Sequence, residues 1–189
     1  GPRPHLPAIA TELGLPLTDL TSWDGVADDD LHRTLIVPDG DPLLTGQLWA
    51  RRLAVLGEKT TTELEALDEE FSRILSEARF VKDEWELQQM RLAVEATHRG
   101  FNDIVQALPQ AIGHQRGERV IEGVFGARAR VEGHDVGYGT ISASGPHACI
   151  LHWVTNDGPV RDGDLLLVDA GIELDSLYTA DITRTIPVS

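Results

Sequence analysis

A single cysteine, Cys149, is all that this 189-residue chain contains. That excludes an intramolecular disulfide framework and fits a reducing compartment. The residue stands in the apolar run ACIL, where a buried structural thiol is expected rather than a nucleophile. Basic residues are also scarce: 16 Lys and Arg face 31 Asp and Glu, for a net charge of −15. Phosphate backbones are held by clustered Lys and Arg, so no nucleic-acid partner is expected. An acidic surface keeps a protein soluble and says nothing positive about substrate. No apolar run reaches the length of a membrane span, and the N-terminus lacks the basic-then-apolar order of a signal peptide. The expectation is a cytoplasmic protein without a membrane partner. Hydrophobic residues at 41% and charged residues at 25% suit a chain that builds a real core, as one domain or two small pieces.

Residues 1 to about 60 read as irregular, punctuated by Pro2, Pro4, Pro7, Pro16, Pro38 and Pro42. Within them His32 to Val37 carries a short strand-like core, LIV, ended by the turn Pro38-Asp39-Gly40. This third is expected to be part of a small α/β domain. From Thr62 the periodicity becomes helical. Thr62 and Glu65 form a candidate capping box ahead of Leu67, Phe71, Ile74 and Leu75. A second helix opens at Asp83 with Glu86 three residues on, and Pro109 is read as its end. A third spans Glu118 to Glu132, stopped by Gly133. His98 and His114 have no partner at ligand spacing and read as surface residues. Beyond Tyr138 the signals are those of strands: Thr140 to Ser142, Ala148 to Thr155, Leu165 to Asp169 and Tyr178 to Val188. Helices followed by antiparallel strands make the fold class α+β.

Two carboxylates interrupt the last two strands. Asp169 alone suits an ordinary strand-ending Asp-Ala-Gly turn. Asp181 lies inside a strand, where Asp is disfavoured. Along that strand Thr179, Asp181, Thr183 and Thr185 share one oxygen-rich face. The connection between the strands is short enough for a hairpin, and a bulge or odd-length loop would set the two Asp residues face to face. Facing carboxylates repel unless one takes a proton or both find a cation. Arg184 alternates to the opposite face. Carboxylate oxygens select hard or borderline ions such as Mn²⁺, Mg²⁺ or Co²⁺. His152, in the preceding strand ILHW, is placed to reach the same cavity, although a core or rim histidine is the simpler reading of that residue alone.

The stretch YGTISASG…ILHW…DGDLLLVDAG…YTADITRTIPV, from Tyr138 to Val188, resembles the first half of the catalytic domain of the Xaa-Pro aminopeptidase (aminopeptidase P) family. That domain has the pita-bread fold shared with prolidase and methionine aminopeptidase. The helix VKDEWELQQMRLAVEATHRGF is similar to the domain's opening. The resemblance implies a partial N-terminal domain over 1–61, a linker helix over 62–79, and the first half of the metallopeptidase domain over 80–189. It implies that Asp169 chelates one metal ion, that Asp181 bridges two, and that His152 contacts substrate near the scissile bond. Tyr138 would sit beside the metals and Thr183 would support Asp181. Two divalent ions, Mn²⁺ ahead of Co²⁺ or Zn²⁺, would activate a water that attacks the bond before a proline in the second position. Self-association is the family's habit.

Two departures stand out. The interval from Asp169 to Asp181 is one residue longer than usual, through IELDSLY. The family's further metal-binding His and two Glu lie beyond Ser189. The chain is therefore expected to be part of a longer polypeptide, inactive without its C-terminal remainder. The alternatives are a prolidase acting on dipeptides, or an inert pita-bread binding module, whose metal aspartates are typically lost.

Overall fold

The computed structural model describes residues 22–189 and, ahead of them, positions 7, 10, 11, 14, 16 and 17. Pro2 and Pro4 lie outside the described residues. Two compact units divide the chain, Gly1–Val81 and Lys82–Ser189.

In the first unit, Asp41 accepts the backbone N–H groups of Leu43 and Leu44 at 3.0 Å and so caps helix α1, Pro42–Leu56. Pro42 occupies the first helical position, where its missing N–H leaves no donor unsatisfied. The expectation of irregular chain up to residue 60 is corrected there. Gly57, at φ 81°, separates α1 from α2, Glu58–Phe80. The helix thus starts four residues before the expected capping box, and Thr62 and Glu65 lie inside it. The expected LIV strand does not form. Asp28–Arg33 is a 3-10 turn that buries Leu31, and the Ile36 N–H donates to Asp68 Oδ1 at 3.1 Å instead of to a neighbouring strand. Asp68, on α2, also pairs with Arg52 of α1, and both side chains are fully buried. Residues 62–79, expected as a linker helix, lie within α2, and Asp68 pairs this helix with α1.

The second unit opens with α3, Glu84–Ile112. Asp83 accepts the Glu86 N–H and Glu86 accepts the Asp83 N–H, both at 2.8 Å, as the sequence predicts. Pro109 does not end the helix. The helix buries Leu108 almost fully just before it and Ala111 completely just after it, which offsets the one backbone bond that proline removes. Helix α4, Gly117–Glu132, packs along α3 and stops at Gly133. Phe101 and Ile104 of α3 and Ile121 and Phe125 of α4 form a core with Leu166, Val168 and Ile172.

Five strands follow: β1 Asp135–Val136, β2 Ile141–Ser144, β3 Leu165–Ala170, β4 Ile172–Glu173 and β5 Ile182–Pro187. They form an antiparallel sheet in the order β2-β3-β5 and a separate β1-β4 pair. The α+β class stands. In β3 burial alternates, with Leu166, Val168 and Ala170 turned into the helical core and Asp169 on the other face. The last strand is shorter than expected, since Tyr178–Asp181 joins only through a single bridge, Glu173 to Thr179. The strand expected over Ala148 to Thr155 is absent. A 3-10 turn, Gly145–Cys149, and a tight turn at Leu151 and His152 take its place. Cys149 is exposed rather than buried.

Candidate metal centre

Register places the two carboxylates. Asp169 pairs across β3 with Thr183 of β5 and on its other side with Ile141 of β2. Opposed residues share a face, and so do residues two apart along a strand. Asp181 therefore lies on the face of Asp169, diagonally rather than directly opposite as expected. Just behind the pair the hairpin closes tightly. A Cβ on Gly171 would fall 1.6 Å from the Ala180 carbonyl oxygen, so no other residue fits there. At the tip of this connection the Leu174 N–H bonds Tyr178 O and Leu177 takes φ 65°.

The Tyr138 hydroxyl lies 2.6 Å from Asp169 Oδ1 and 2.8 Å from Asp181 Oδ1. Thr183 Oγ1 donates to Asp169 Oδ2 at 2.8 Å, so Thr183 supports Asp169 and not, as expected, Asp181. One phenolic proton cannot fully satisfy two acceptors. Burial, followed by hydrogen bonds to both carboxylates, pushes the Tyr138 phenol far above its ordinary range. It is a neutral donor at any physiological pH. Among the described residues, neither Asp forms an ion pair with Lys, Arg or His. Arg184 turns to the Thr183 carbonyl instead. Two convergent carboxylates share one proton, a donor set that suits a hard divalent cation. Among the described residues no group of three or more His, Cys, Asp or Glu converges as a metal site, so this face offers two carboxylate ligands.

His152 is exposed, on a turn at φ 55°, and not on a strand as expected. Its ring makes no hydrogen bond to either carboxylate. Its location is nevertheless defined. Asn156, fully buried, takes the free edge of β2, its Oδ1 accepting from Ser142 N–H at 2.9 Å and its Nδ2 donating to Thr140 O at 2.8 Å. Val154 lies against Gly139, with Cγ1 3.5 Å from the position of an added Cβ. The segment thus runs back along β2 towards Tyr138, the end of the sheet that holds Asp169. Asn156 itself reads in the sequence as an ordinary turn residue. Only its burial beside an unpaired strand edge reveals the part it plays. Glu118, whose buried carboxylate receives several of this segment's donors, reads as a common first-turn glutamate.

The chain matches the model of metallopeptidase family M24 over residues 88–189. It is 49% identical to Xaa-Pro aminopeptidase 1 of Streptomyces coelicolor, over 99% of this chain and 36% of that protein. It is 48% identical to Xaa-Pro aminopeptidase 2 of the same organism, over 100% of this chain and 37% of that protein. The chain thus spans about a third of the length of these curated relatives. Among solved structures, aminopeptidase P from Escherichia coli with the inhibitor Pro-Leu superposes with a TM-score of 0.52 at 35% identity, over 61% of this chain and 26% of that one. X-Pro aminopeptidase from Thermotoga maritima gives 0.54 at 31% identity, over 61% and 32%.

Proposed function

The chain belongs to metallopeptidase family M24, and on that premise we propose that it supplies part of a two-metal centre that removes the N-terminal residue from peptides with proline second. The observation that carries this reading is the pair Asp169 and Asp181, converging on one Tyr138 hydroxyl with no cationic side chain among the described residues bonded to either. The Xaa-Pro aminopeptidases to which the chain is similar support the choice of substrate.

In this reading Asp169 would help hold one ion and Asp181 would contribute to holding both. An all-oxygen pair favours Mn²⁺ over Co²⁺ and Zn²⁺. Bound ions would polarise the scissile carbonyl and lower the pKa of an attacking water. The chain's own residues hold the geometry. Thr183 fixes one oxygen of Asp169 and Tyr138 the other, so that carboxylate cannot rotate away. Tyr138 steadies Asp181 in the same way. His152, on its exposed turn, presents an imidazole to the peptide near the bond to be cut. The remaining metal ligands come from polypeptide outside these 189 residues, without which the centre is inactive. Self-association and a cytoplasmic setting belong to the same reading, the latter because the exposed, unpaired Cys149 thiol suits a reducing compartment.

The test is Asp181→Asn in the full-length, Mn²⁺-loaded protein, assayed on Xaa-Pro-Pro peptides with Gly-Pro as the comparison. The amide keeps the shape but removes the bridging charge. Loss of turnover and of bound metal, with an unchanged circular dichroism spectrum, is the expected result. Near-normal turnover would end the assignment, and a preference for Gly-Pro would turn it to a dipeptidase.

A further inference from the structure

Between Ser144 and Gly158 the chain forms no strand, yet both ends and the middle of this segment converge on one carboxylate. Glu118, the second residue of α4, is fully buried. Its Oε1 accepts the Ser144 N–H at 2.8 Å and meets His147 Nδ1 at 2.8 Å. Its Oε2 accepts the Trp153 indole N–H at 3.0 Å and the Gly158 N–H at 2.8 Å. The Glu118 N–H returns a bond to Gly158 O at 3.1 Å. A carboxylate has about four acceptor sites, and all are occupied. Because an ionised carboxylate only accepts, His147 carries its proton on Nδ1. The His147 and Trp153 rings stack at 4.0 Å and 29°. Gly158 leaves the room for this cluster, since a Cβ there would come within 2.7 Å of the His147 ring.

Trp153 directly follows His152. A non-glycine residue at φ 55° persists only where its surroundings over-determine it. Anchoring His147 ahead of it, and the Trp153 indole and Asn156 behind it, supplies that determination. A buried carboxylate is costly unless every oxygen is well bonded, and apolar packing would close a loop more simply. What the carboxylate adds is direction: four fixed donors set the path of the chain into and out of His152.

We propose that Glu118 is a positioning residue for His152, aiming its imidazole at bound peptide by holding Trp153, His147 and both ends of the Ser144–Gly158 segment. The inference rests on the substrate contact proposed for His152. The experiment compares wild type, Glu118→Gln, His152→Ala and the double variant in the full-length, Mn²⁺-loaded protein. The readouts are kcat, KM, metal content and amide exchange by peptide. Glu118→Gln keeps the shape but sets an amide NH₂ against two of the four donors. It should lower kcat roughly ten- to a hundredfold, the scale of a small misplacement of a reacting group. Metal content should be unchanged and exchange faster over 144–158 but not over β3 and β5. In the double variant the effects should not add, kcat falling no further than in His152→Ala. Additive losses, or a normal kcat in Glu118→Gln beside an impaired His152→Ala, would overturn the inference. Full activity of His152→Ala would instead overturn the proposed role of His152, and this inference with it. Should Glu118→Gln fail to fold, Trp153→Phe reads the same route. It keeps the stacked ring, loses one donor, and should cost kcat about tenfold or less, again without adding to His152→Ala; an unchanged kcat would overturn the inference.

Discussion

Tyr138 is the residue on which the carboxylate pair is organised, since its one hydroxyl proton lies between Asp169 and Asp181. Tyr138→Phe removes that donor and leaves the ring. Two carboxylates then repel with nothing between them until a cation arrives, and Asp181 is free to turn towards water. In the full-length protein metal affinity should fall about ten- to a hundredfold, the usual cost of losing a partner that orients a ligand. Competition against a chelator measures it, and unchanged affinity would mean that the strands alone aim the two carboxylates. Much of this arrangement is legible in the sequence, because alternation puts Asp181, Thr183 and Thr185 on one face whatever the register. Register itself is not legible. Moving the pairing by two residues keeps every side chain on its face but exchanges partners, which is why Thr183 serves Asp169 and not Asp181.

At the scale of elements, the β3-β5 hairpin and the α3-α4 pair give separate expectations. Gly171→Ala sets a methyl group against the Ala180 carbonyl, so the hairpin must open just behind the carboxylates. A loss of several kcal/mol in denaturant unfolding is expected, with metal binding lost. A stable variant would show that this turn has slack. Between the helices, Arg128 bonds both oxygens of Asp103 and also reaches Glu132, which Arg99 grips as well. The hydrogen bond from Arg128 first, then its charge, holds the Asp103 carboxyl below the usual range, and Arg99 acts in the same way on Glu132. A depressed folded-state pKa contributes stability above the unfolded value and loses it as the pH falls through the folded one. Arg128→Ala should therefore lower Tm at neutral pH, and its gap from wild type should close below about pH 4. A gap independent of pH would assign the loss to packing. Local signals made these helices readable, and the Asp83–Glu86 box is complete within four residues. The run ACILHWVT misleads because it is apolar like a strand. Its backbone is instead directed by Asn156 and by a carboxylate at least 26 residues away in sequence, which periodicity cannot show.

Across the whole molecule the two units set their decisive carboxylates in opposite surroundings, one buried and the others open to water. In Gly1–Val81, Asp68 meets Arg52, Trp49 and the Ile36 N–H, all local to that unit. Arg52→Met leaves Asp68 buried without its cation, at a cost of about 3–5 kcal/mol. Replacing both residues by apolar ones of similar volume should restore most of it, and exchange over residues 31–68 reports both results. A single variant as stable as wild type would show that water reaches Asp68. In Lys82–Ser189 the carboxylates that matter are exposed or half-exposed, and a cation rather than an arginine is proposed to complete them. Two carboxylates cannot satisfy an ion that takes about six oxygen ligands. The 189-residue chain alone should accordingly bind Mn²⁺ weakly, with Kd on the order of 10⁻³ M. A net charge of −15 attracts cations everywhere, so the specific site is the part of the binding isotherm that Asp181→Asn abolishes. No Xaa-Pro peptide should be cleaved until the remainder of the full-length protein is supplied in trans or in cis. Tight binding of two ions by this chain, with turnover, would place the missing ligands within these 189 residues and undo the proposed division of the centre.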